Sequence, residues 1–527
     1  MSAPDASRIT PGALGATAVA DLDRRLFGGF VEHLGRHIYD GIYEPSHPAA
    51  DADGFRTDVI ALVKELGVST VRYPGGNFVS GYRWEDGVGP RELRPRRLDL
   101  AWHVTETNEV GLHEFQNWLE KVGSELMLAV NLGTRGTAEA LDLLEYANTS
   151  VDTARTRERA DNGRVTPFGV KMWCLGNEMD GFWQLGHRNA TDYGKLASRT
   201  AKAMLQLDPS IELVVCGSSG RSMPTFGSWE REVLRHTFDE VDFISCHSYY
   251  EEHDGDAQEF LASAVDMHLF IEEVVAIADE VAAERGSDKR IQLSFDEWNV
   301  WYLSRWQAEQ VTYGPDDWPV APRRLEDVYH LLDAVVFGDL MITLLQHADR
   351  VRSASLAQLV NVIAPIMTEP GGPAWRQTTF YPFSLTSRLA GERVVPVTVE
   401  SATFASAKHG EVPTVNAVAT VDGDGASVFV VNRSTSDATE LRLDLASLGA
   451  GGNGGTGGIG GAGGNGGDLE GIRVVESHQL HDDDRYARNT LHDPERVRPH
   501  AVEGARVEDG VLVLPLPAIS WTAVRLA

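Results

Sequence analysis

Two short segments of the chain each carry an apolar run that ends in a carboxylate beside Asn and Trp. They are Trp173–Gly181, which contains Glu178, and Ser294–Asn299, which contains Glu297. An unpaired Glu at the end of a buried strand costs free energy, so each site indicates either an ordinary ion pair or a chemical role. Two such groups at one end of a barrel would suit glycoside hydrolysis, in which one carboxyl protonates the leaving oxygen and the other attacks or activates water.

Polar residues also end the first two predicted strands. Glu32 suits hydrogen bonds to sugar hydroxyls, although a helix cap or an ion pair is the alternative. Arg72 is placed to hold Glu297 ionised, unless it pairs with another acid at a strand end. The turn at 74–76, Pro-Gly-Gly, is expected to bring Asn77 into the same pocket.

Aromatic residues and a histidine cluster in the same segments. His247 and Tyr249 end the sixth predicted strand. A histidine there is commonly a satisfied structural donor, whereas a tyrosine can hold an anionic nucleophile by a hydrogen bond. Four tryptophans near the two acids either pack in the core or stack on the apolar faces of sugar rings: Trp173, Trp183, Trp298 and Trp301.

The elements that must position these residues alternate between strand and helix from about residue 26 to 385. Strands that are apolar on both faces suit a parallel sheet covered by helices, and eight of them predict a (β/α)₈ TIM barrel over 24–385. A doubly wound open sheet is the alternative, but the first strand lacks a Gly-rich dinucleotide fingerprint. The predicted strands are Leu26–Glu32, Ser69–Pro74, Leu126–Leu132, Val170–Asn177, Glu212–Gly217, Phe243–Tyr249, Ile291–Glu297 and Ser355–Val362.

The remaining chain, 386–527, alternates in short strands and predicts a C-terminal antiparallel β-sandwich, with one more strand from about 1–23. Asp422–Gly425 reads as a hairpin turn, since no calcium-loop spacing follows it. The Gly-Gly-X repeat at 449–467 predicts a flexible loop inserted in the sandwich, with a spacer or partner-binding role as the alternative. The acidic run 481–484 is expected to be a solvated loop, not a metal site.

Composition excludes several classes of partner. With 47 basic and 77 acidic residues, the net charge of −30 disfavours nucleic acid and anionic membrane surfaces. The cysteines are few and odd in number, three in all, which argues against a disulfide framework, so we expect a reducing compartment. The segment Met1–Val19 lacks the pattern of a secretory signal, and no run reaches the roughly 18 apolar residues of a membrane span. A cytoplasmic location is predicted.

Taken together, these motifs resemble glycoside hydrolase family 51, the α-L-arabinofuranosidases. The resemblance runs through the whole predicted barrel and implies a (β/α)₈ barrel with a C-terminal β-sandwich and a retaining mechanism. The matching stretches are Phe27–Tyr43, Val71–Pro90, Met172–Gln184, His247–Tyr250, Ser294–Tyr302 and Gln358–Pro365.

The same resemblance implies roles for individual residues. Glu178 would be the acid/base and Glu297 the nucleophile, acting on terminal arabinofuranosyl residues of arabino-oligosaccharides. Asn177 would contact the 2-hydroxyl of the sugar. The rest of the expected substrate-binding set is Glu32, Arg72, Asn77, His247, Tyr249, Trp301 and Gln358.

Similar enzymes use no metal or organic cofactor, and many form hexamers, so a homo-oligomer without a cofactor is expected. An endoglucanase or xylosidase using the same carboxylate pair stays open as an alternative, as does a non-catalytic sugar-binding protein.

Overall fold

The computed structural model describes residues 6–9, 20–395, 397, 399–448 and 472–527. The prediction for the Gly-rich segment 449–467 therefore lies outside the described residues.

Eight parallel strands close into a barrel in chain order, so the predicted (β/α)₈ fold is confirmed. Each predicted strand overlaps one of the observed ones. Because all eight run in parallel, their carboxyl ends meet at one rim, which is where such barrels place their active sites. The strands are β1 Gly28–Phe30, β2 Thr70–Tyr73, β3 Glu125–Ala129, β4 Met172–Cys174, β5 Glu212–Val215, β6 Phe243–Tyr250, β7 Gln292–Val300 and β8 Val351–Ala357.

Helices cover the outside of the barrel and bury their apolar faces against the strands. The α-helices are Thr57–Leu66, Leu112–Val122, Thr137–Asn148, Ala154–Asp161, Ala190–Leu207, Ser228–Thr237, Ala257–Phe260, Ser263–Arg285, Leu303–Glu309, Leu331–Gln346 and Phe380–Leu389. Short 3₁₀ helices are Arg24–Phe27, Asn77–Ser80, Trp84–Gly87, Arg91–Leu93 and Leu445–Leu448. Within the described part of the chain, no helix combines the length and the hydropathy of a membrane-spanning segment.

Helix Leu331–Gln346 is buried along almost its whole length because it lies between the barrel and a β-sheet of the C-terminal part. Gly338 permits this close packing, since a Cβ there would lie 2.2 Å from the Trp521 side chain. The next residue, Asp339, accepts a bidentate hydrogen bond from Arg433 at 2.6 and 3.0 Å. Barrel and C-terminal part are therefore joined by both apolar packing and a buried ion pair.

The C-terminal part is a sandwich of two sheets around its own apolar core, as predicted. The six-stranded sheet is antiparallel and has the order Ala20–Asp21, Arg393–Val395, Val415–Asp422, Gly425–Asn432, Ser520–Leu526, Val474–Leu480. The five-stranded sheet has the order Val399–Glu400, Ala6–Ile9, Thr439–Asp444, Val511–Leu516, Arg506–Glu508 and contains one parallel pair, Ala6–Ile9 with Thr439–Asp444.

Residues Asp422 and Gly425 face each other across a two-residue turn, so the predicted hairpin is confirmed. Three small hairpins complete the described elements: Arg97–Asp99 with Val104–Glu106, Ile366–Thr368 with Ala374–Arg376, and Thr403–Ser406 with Gly410–Pro413. Helix Phe380–Leu389 crosses the predicted domain boundary at 385–386. The division of the chain into 24–385 and 386–527 stays a prediction.

Candidate active site

Glu178 lies in the turn that follows β4. The chain leaves the strand through Gly176, with φ +97°, and Glu178 itself has φ +42°. A non-glycine residue in this left-handed region is uncommon, and such strain is concentrated at functional sites. The turn carries the Glu178 carboxyl group into the mouth of the barrel, where its side chain is 10% exposed.

Glu297 lies on β7 beside a β-bulge. The pairing with β6 passes from Ser245 opposite Ser294 to His247 opposite Glu297, so β7 contains one extra residue. A bulge redirects side chains that strict alternation would send to opposite faces. As a result, Asp296 and Glu297, although consecutive, both reach the group of polar side chains inside the barrel mouth.

The two predicted catalytic acids face each other. An oxygen of Glu178 and an oxygen of Glu297 lie within 4.8 Å of each other, and a nitrogen of His247 lies within the same distance of both. Retaining glycosidases have carboxyl groups roughly 5–5.5 Å apart, and inverting ones about 6.5–9.5 Å. The observed approach of the two oxygens is closer to the retaining range than to the inverting range.

His247 bridges three carboxyl groups. Its Nδ1 lies 2.9 Å from Glu178 Oε1 and 3.6 Å from Glu297 Oε2, and its Nε2 lies 2.9 Å from Asp296 Oδ1. Burial alone would lower the pKa of His247, but the charge of Glu297 and the hydrogen bonds to Asp296 and Glu178 raise it to about 10. With a carboxyl oxygen 2.9 Å from each ring nitrogen, the surroundings favour an imidazolium, which can donate on both sides. Its predicted contact with a sugar stays a prediction, because the structure engages both nitrogens with protein groups.

The two acids have different surroundings. Burial and the charge of Glu297 raise the pKa of Glu178, against the opposing hydrogen bond from His247. Glu297 accepts hydrogen bonds from Arg72 Nη1 at 2.8 Å and from Tyr249 OH at 2.7 Å. Two carboxyl groups whose environments differ in this way can divide the roles of acid and nucleophile.

Arg72 connects the strands of the site. Besides Glu297, its guanidinium donates to Asn177 Oδ1 at 2.6 Å and lies 3.6 Å from Asp296. Because the side chain is 1% exposed, each of these contacts is shielded from solvent. Arg72 thereby fixes the amide of Asn177 as well as the carboxylate of Glu297.

Glu32 and Gln358 form the opposite wall. Glu32 accepts hydrogen bonds from the Phe78 N–H at 2.9 Å and from Gln358 Nε2 at 3.3 Å. Burial raises the pKa of Glu32 to about 8, and the charges of Glu297 and Asp99 act in the same direction. Gln358 is oriented by His37, which lies 2.5 Å from its Oε1.

The predicted Pro-Gly-Gly turn packs directly against Glu32. A Cβ at Gly75, where φ is +126°, would lie 2.4 Å from Glu32 Cγ, so only glycine fits there. Asn77 begins the 3₁₀ helix that follows and is half-buried. The turn therefore places Asn77 one residue before the amide that binds Glu32.

The four tryptophans divide into two pairs. Trp183 donates to Glu178 Oε2 at 2.7 Å, and Trp301 packs edge-on against Tyr249 with ring centres 5.0 Å apart. Trp173 and Trp298 are fully buried in the core instead, so the structure does not bring them into the pocket. Trp298 packs against a helix of the barrel surface, since strand alternation turns it away from the side of Glu297.

Sequence reasoning missed two residues of the site. Asp296 binds His247, and Trp102 donates to Glu32 Oε1 at 2.9 Å from the hairpin 97–106. The signal for Asp296 was its place beside Glu297, but alternation along a regular strand would have sent it outward. Trp102 stands in a polar loop segment that gives no periodic signal.

Among the residues that the structure describes, two groups of side chains have the composition of metal ligands. The first is Glu178, His247 and Glu297, in which both ring nitrogens of His247 already lie 2.9 Å from carboxyl oxygens of the protein. The second is His268, Glu272 and His347 on the outer helices, where the two imidazoles are hydrogen-bonded to each other at 2.8 Å. The expectation that the protein needs no metal stays a prediction.

A (β/α)₈ barrel with two opposed carboxyl groups at its carboxyl-end rim is the architecture of a glycoside hydrolase. The model of the α-L-arabinofuranosidase 1 domain matches residues 62–273, and that of the α-L-arabinofuranosidase C-terminal domain matches 296–520. An exo-α-(1→6)-L-arabinofuranosidase of Bifidobacterium longum is 58% identical, covering 96% of this chain and 95% of that protein. The chain belongs to glycoside hydrolase family 51, the α-L-arabinofuranosidases, as the sequence motifs predicted.

Further relatives agree. An intracellular exo-α-(1→5)-L-arabinofuranosidase of Streptomyces lividans is 56% identical over 97% of this chain and 74% of its own length. Among solved structures, a family 51 α-L-arabinofuranosidase from Bifidobacterium longum superposes with a TM-score of 0.91 at 48% identity, covering 100% of both chains. The names of several relatives describe them as intracellular, which agrees with the predicted cytoplasmic location.

Proposed function

We propose that the protein is a retaining exo-α-L-arabinofuranosidase that removes terminal non-reducing α-L-arabinofuranosyl residues from arabino-oligosaccharides. The observation that carries the proposal is the approach of Glu178 and Glu297 to within 4.8 Å in unlike electrostatic surroundings. The names of relatives, which describe exo-acting enzymes on α-(1→5) and α-(1→6) linkages, support the same class of substrate.

In the first step, Glu297 attacks the anomeric carbon while Glu178 gives its proton to the departing oxygen. The bond from C1 to that oxygen breaks, and an ester between C1 and Glu297 forms. The raised pKa of Glu178 supports the acid role, since a carboxyl group must still carry its proton near neutral pH. The hydrogen bonds to Glu297 from Arg72 and Tyr249 orient the carboxylate for attack.

In the second step, Glu178 acts as a base. It takes a proton from a water molecule, the water oxygen attacks C1, and Glu297 leaves as a carboxylate. The sugar is thereby released with the anomeric configuration of the substrate. The imidazolium of His247 supports this change of role, because it stabilises Glu178 when that group is ionised.

The substrate-binding shell is proposed from the residues that surround the two acids. Asn177, fixed by Arg72, is expected to bind the 2-hydroxyl, where hydrogen bonds strengthen in the transition state. The other sugar hydroxyls and the ring face are expected to contact the remaining residues of the shell: Glu32, Asn77, Tyr249, Trp301 and Gln358. A homo-oligomer, with the hexamer of many family members as the expected form, stays a prediction.

The test combines two substitutions with product analysis. Glu297→Ala should abolish turnover of an aryl arabinofuranoside, whereas Glu178→Ala should keep the first step with a good leaving group and lose the second. Proton NMR should find the α-anomer as the first product of the wild type. The exposed Glu309→Ala serves as the matched control. Near-wild-type activity of Glu297→Ala, or faster turnover of an aryl xyloside or glucoside, would contradict the proposal.

A further inference from the structure

Two long segments at the barrel rim meet above the pocket. One is the hairpin 97–106, which follows β2, and the other is the segment 303–325, which follows β7. The His103 ring stacks on Trp318 with ring centres 3.7 Å apart and planes inclined by 20°. Thr105 donates from its N–H to Pro319 O at 3.0 Å and from its hydroxyl to Trp318 O at 2.8 Å. We call this junction the rim clasp: His103, Thr105 and Trp318 with Pro319.

Several contacts hold the clasp in one arrangement. His103 has φ +52° and its Nε2 lies 3.2 Å from Gly314 O. The Tyr313 ring is parallel to His103 within 2°, with centres 6.3 Å apart. Arg324 lies over Tyr313 at 5.1 Å and over Trp306 at 5.9 Å. Stacking and a hydrogen bond therefore hold the two segments together at the clasp, and cation–π contacts hold Tyr313 within the second segment.

Barrel topology fixes what the clasp covers. Strands β8 and β1 lie between β7 and β2 in the closed order, so a bridge joining the segments after β2 and β7 passes over the ends of β8 and β1. Those ends carry Gln358 and Glu32. The hairpin also carries Trp102, whose Nε1 binds Glu32, so the clasped hairpin contacts the pocket wall directly.

The opposite side of the rim carries exposed aromatic side chains. Glu178 follows β4, and the turn after it presents Phe182 and Trp183, with 80% and 43% of their surfaces exposed. In the proposed reaction, a sugar with C1 at Glu297 would have its leaving group near Glu178, and its exocyclic C5 hydroxyl would lie on the far side of the ring, toward Glu32. The clasp would then lie beyond the 5-hydroxyl of the sugar, and the exposed aromatic residues would lie beyond the leaving group.

We propose that the rim clasp is the specificity-determining element that blocks extension of the chain beyond the 5-hydroxyl and so enforces exo action. This inference rests on the proposed function. A sugar carrying a further unit or a blocking group on O5 would have to displace the hairpin, and separation of His103 from Trp318 would remove the block.

The test uses two substrates, 4-nitrophenyl α-L-arabinofuranoside and its 5-O-methyl ether. The double variant His103→Ala/Trp318→Ala should raise the ratio of kcat/KM for the blocked substrate to that for the free one by about tenfold or more, the scale on which pockets reject an added group. His492→Ala, an exposed histidine in the C-terminal part, is the matched control and should leave the ratio unchanged. The double variant His103→Ala/Trp318→Ala should also release arabinobiose as an early product from α-(1→5)-linked arabinotetraose, whereas the wild type should release arabinose alone.

An unchanged ratio in a double variant that unfolds at the wild-type temperature would overturn the proposal. A purely structural role of the clasp would lower kcat/KM for both substrates together and leave the ratio constant, which also counts against it. If the double variant does not fold, His103→Ala alone gives the same readout, since it removes one ring of a half-buried contact. Failure of the wild type to hydrolyse the unblocked arabinofuranoside would instead contradict the proposed function.

Discussion

Replacing His247 by glutamine removes the positive charge that the three active-site acids share. Glutamine can donate to Glu178 or to Asp296, but it is neutral and cannot span both, whereas the imidazolium lies 2.9 Å from each. We expect the fold to persist, because the change keeps a polar side chain in a polar cluster. The exposed His253→Gln is the matched control at the same rim.

The expected size of the effect follows from the distances. A unit charge 3.6 Å from the Glu297 carboxylate contributes about 4–5 kcal/mol at an effective dielectric constant of about 20. Part of this is offset because burying the imidazolium itself costs free energy. A net rise of about 2–3 kcal/mol in the activation free energy corresponds to a fall of roughly 30- to 150-fold in kcat/KM.

The direction of the pH change is a sharper test than the rate. The hydrogen bond and the charge of His247 lower the pKa of Glu178, so their removal lets Glu178 keep its proton to higher pH. The alkaline limb of the kcat/KM profile, which reports ionisation of the free enzyme, should therefore move to higher pH. The measurement is kcat/KM for an aryl arabinofuranoside over the pH range in which the wild type is stable. An alkaline limb that stays in place or moves to lower pH would show that His247 does not lower the pKa of Glu178.

Three further substitutions test other parts of the structure. Burial raises the pKa of Glu32 from 4.5 to about 8, so the folded protein holds this proton more tightly than the unfolded chain does, and the wild type loses stability as pH rises through that interval. Urea unfolding should therefore show that the free energy of unfolding of Glu32→Gln rises by roughly 2–4 kcal/mol relative to that of the wild type between pH 4 and 9. Phe182→Ala should weaken arabinotriose hydrolysis by about 1 kcal/mol in kcat/KM through loss of ring contact, while methyl α-L-arabinofuranoside is unaffected. Arg433→Leu should lower the free energy of unfolding by about 3–5 kcal/mol, because it leaves the Asp339 carboxylate buried without its cation and with Asn416 as a remaining donor. Arg506→Leu, which removes an exposed ion pair, should leave the free energy of unfolding almost unchanged.

The barrel could be predicted because its strands are apolar on both faces and end in polar residues. Segments such as Val170–Asn177 carry both signals, so the strand and the functional residue after it were found together. Parallel strands share one rim, and that rule alone places Glu178, Glu297, Arg72 and Glu32 near one another. The structure places all four there.

Other parts of the site depend on irregular backbone that has no sequence period. The bulge on β7 turns Asp296 inward, and the clasped hairpin brings Trp102 to Glu32 from a loop. Of the two roles left open for the four tryptophans, Trp173 and Trp298 have the core-packing one, because proximity along the chain does not fix the face of a strand.

The proposed mechanism requires that Glu297 forms the bond to C1 and that Glu178 acts first as the acid and then as the base. It is tested most directly by trapping the ester in Glu178→Ala with 2,4-dinitrophenyl α-L-arabinofuranoside, whose leaving group needs no acid. We predict that intact-protein mass spectrometry finds one added arabinosyl unit and that peptide mapping places it on Glu297. An unmodified protein during turnover, or a label on any other carboxylate, would contradict the account.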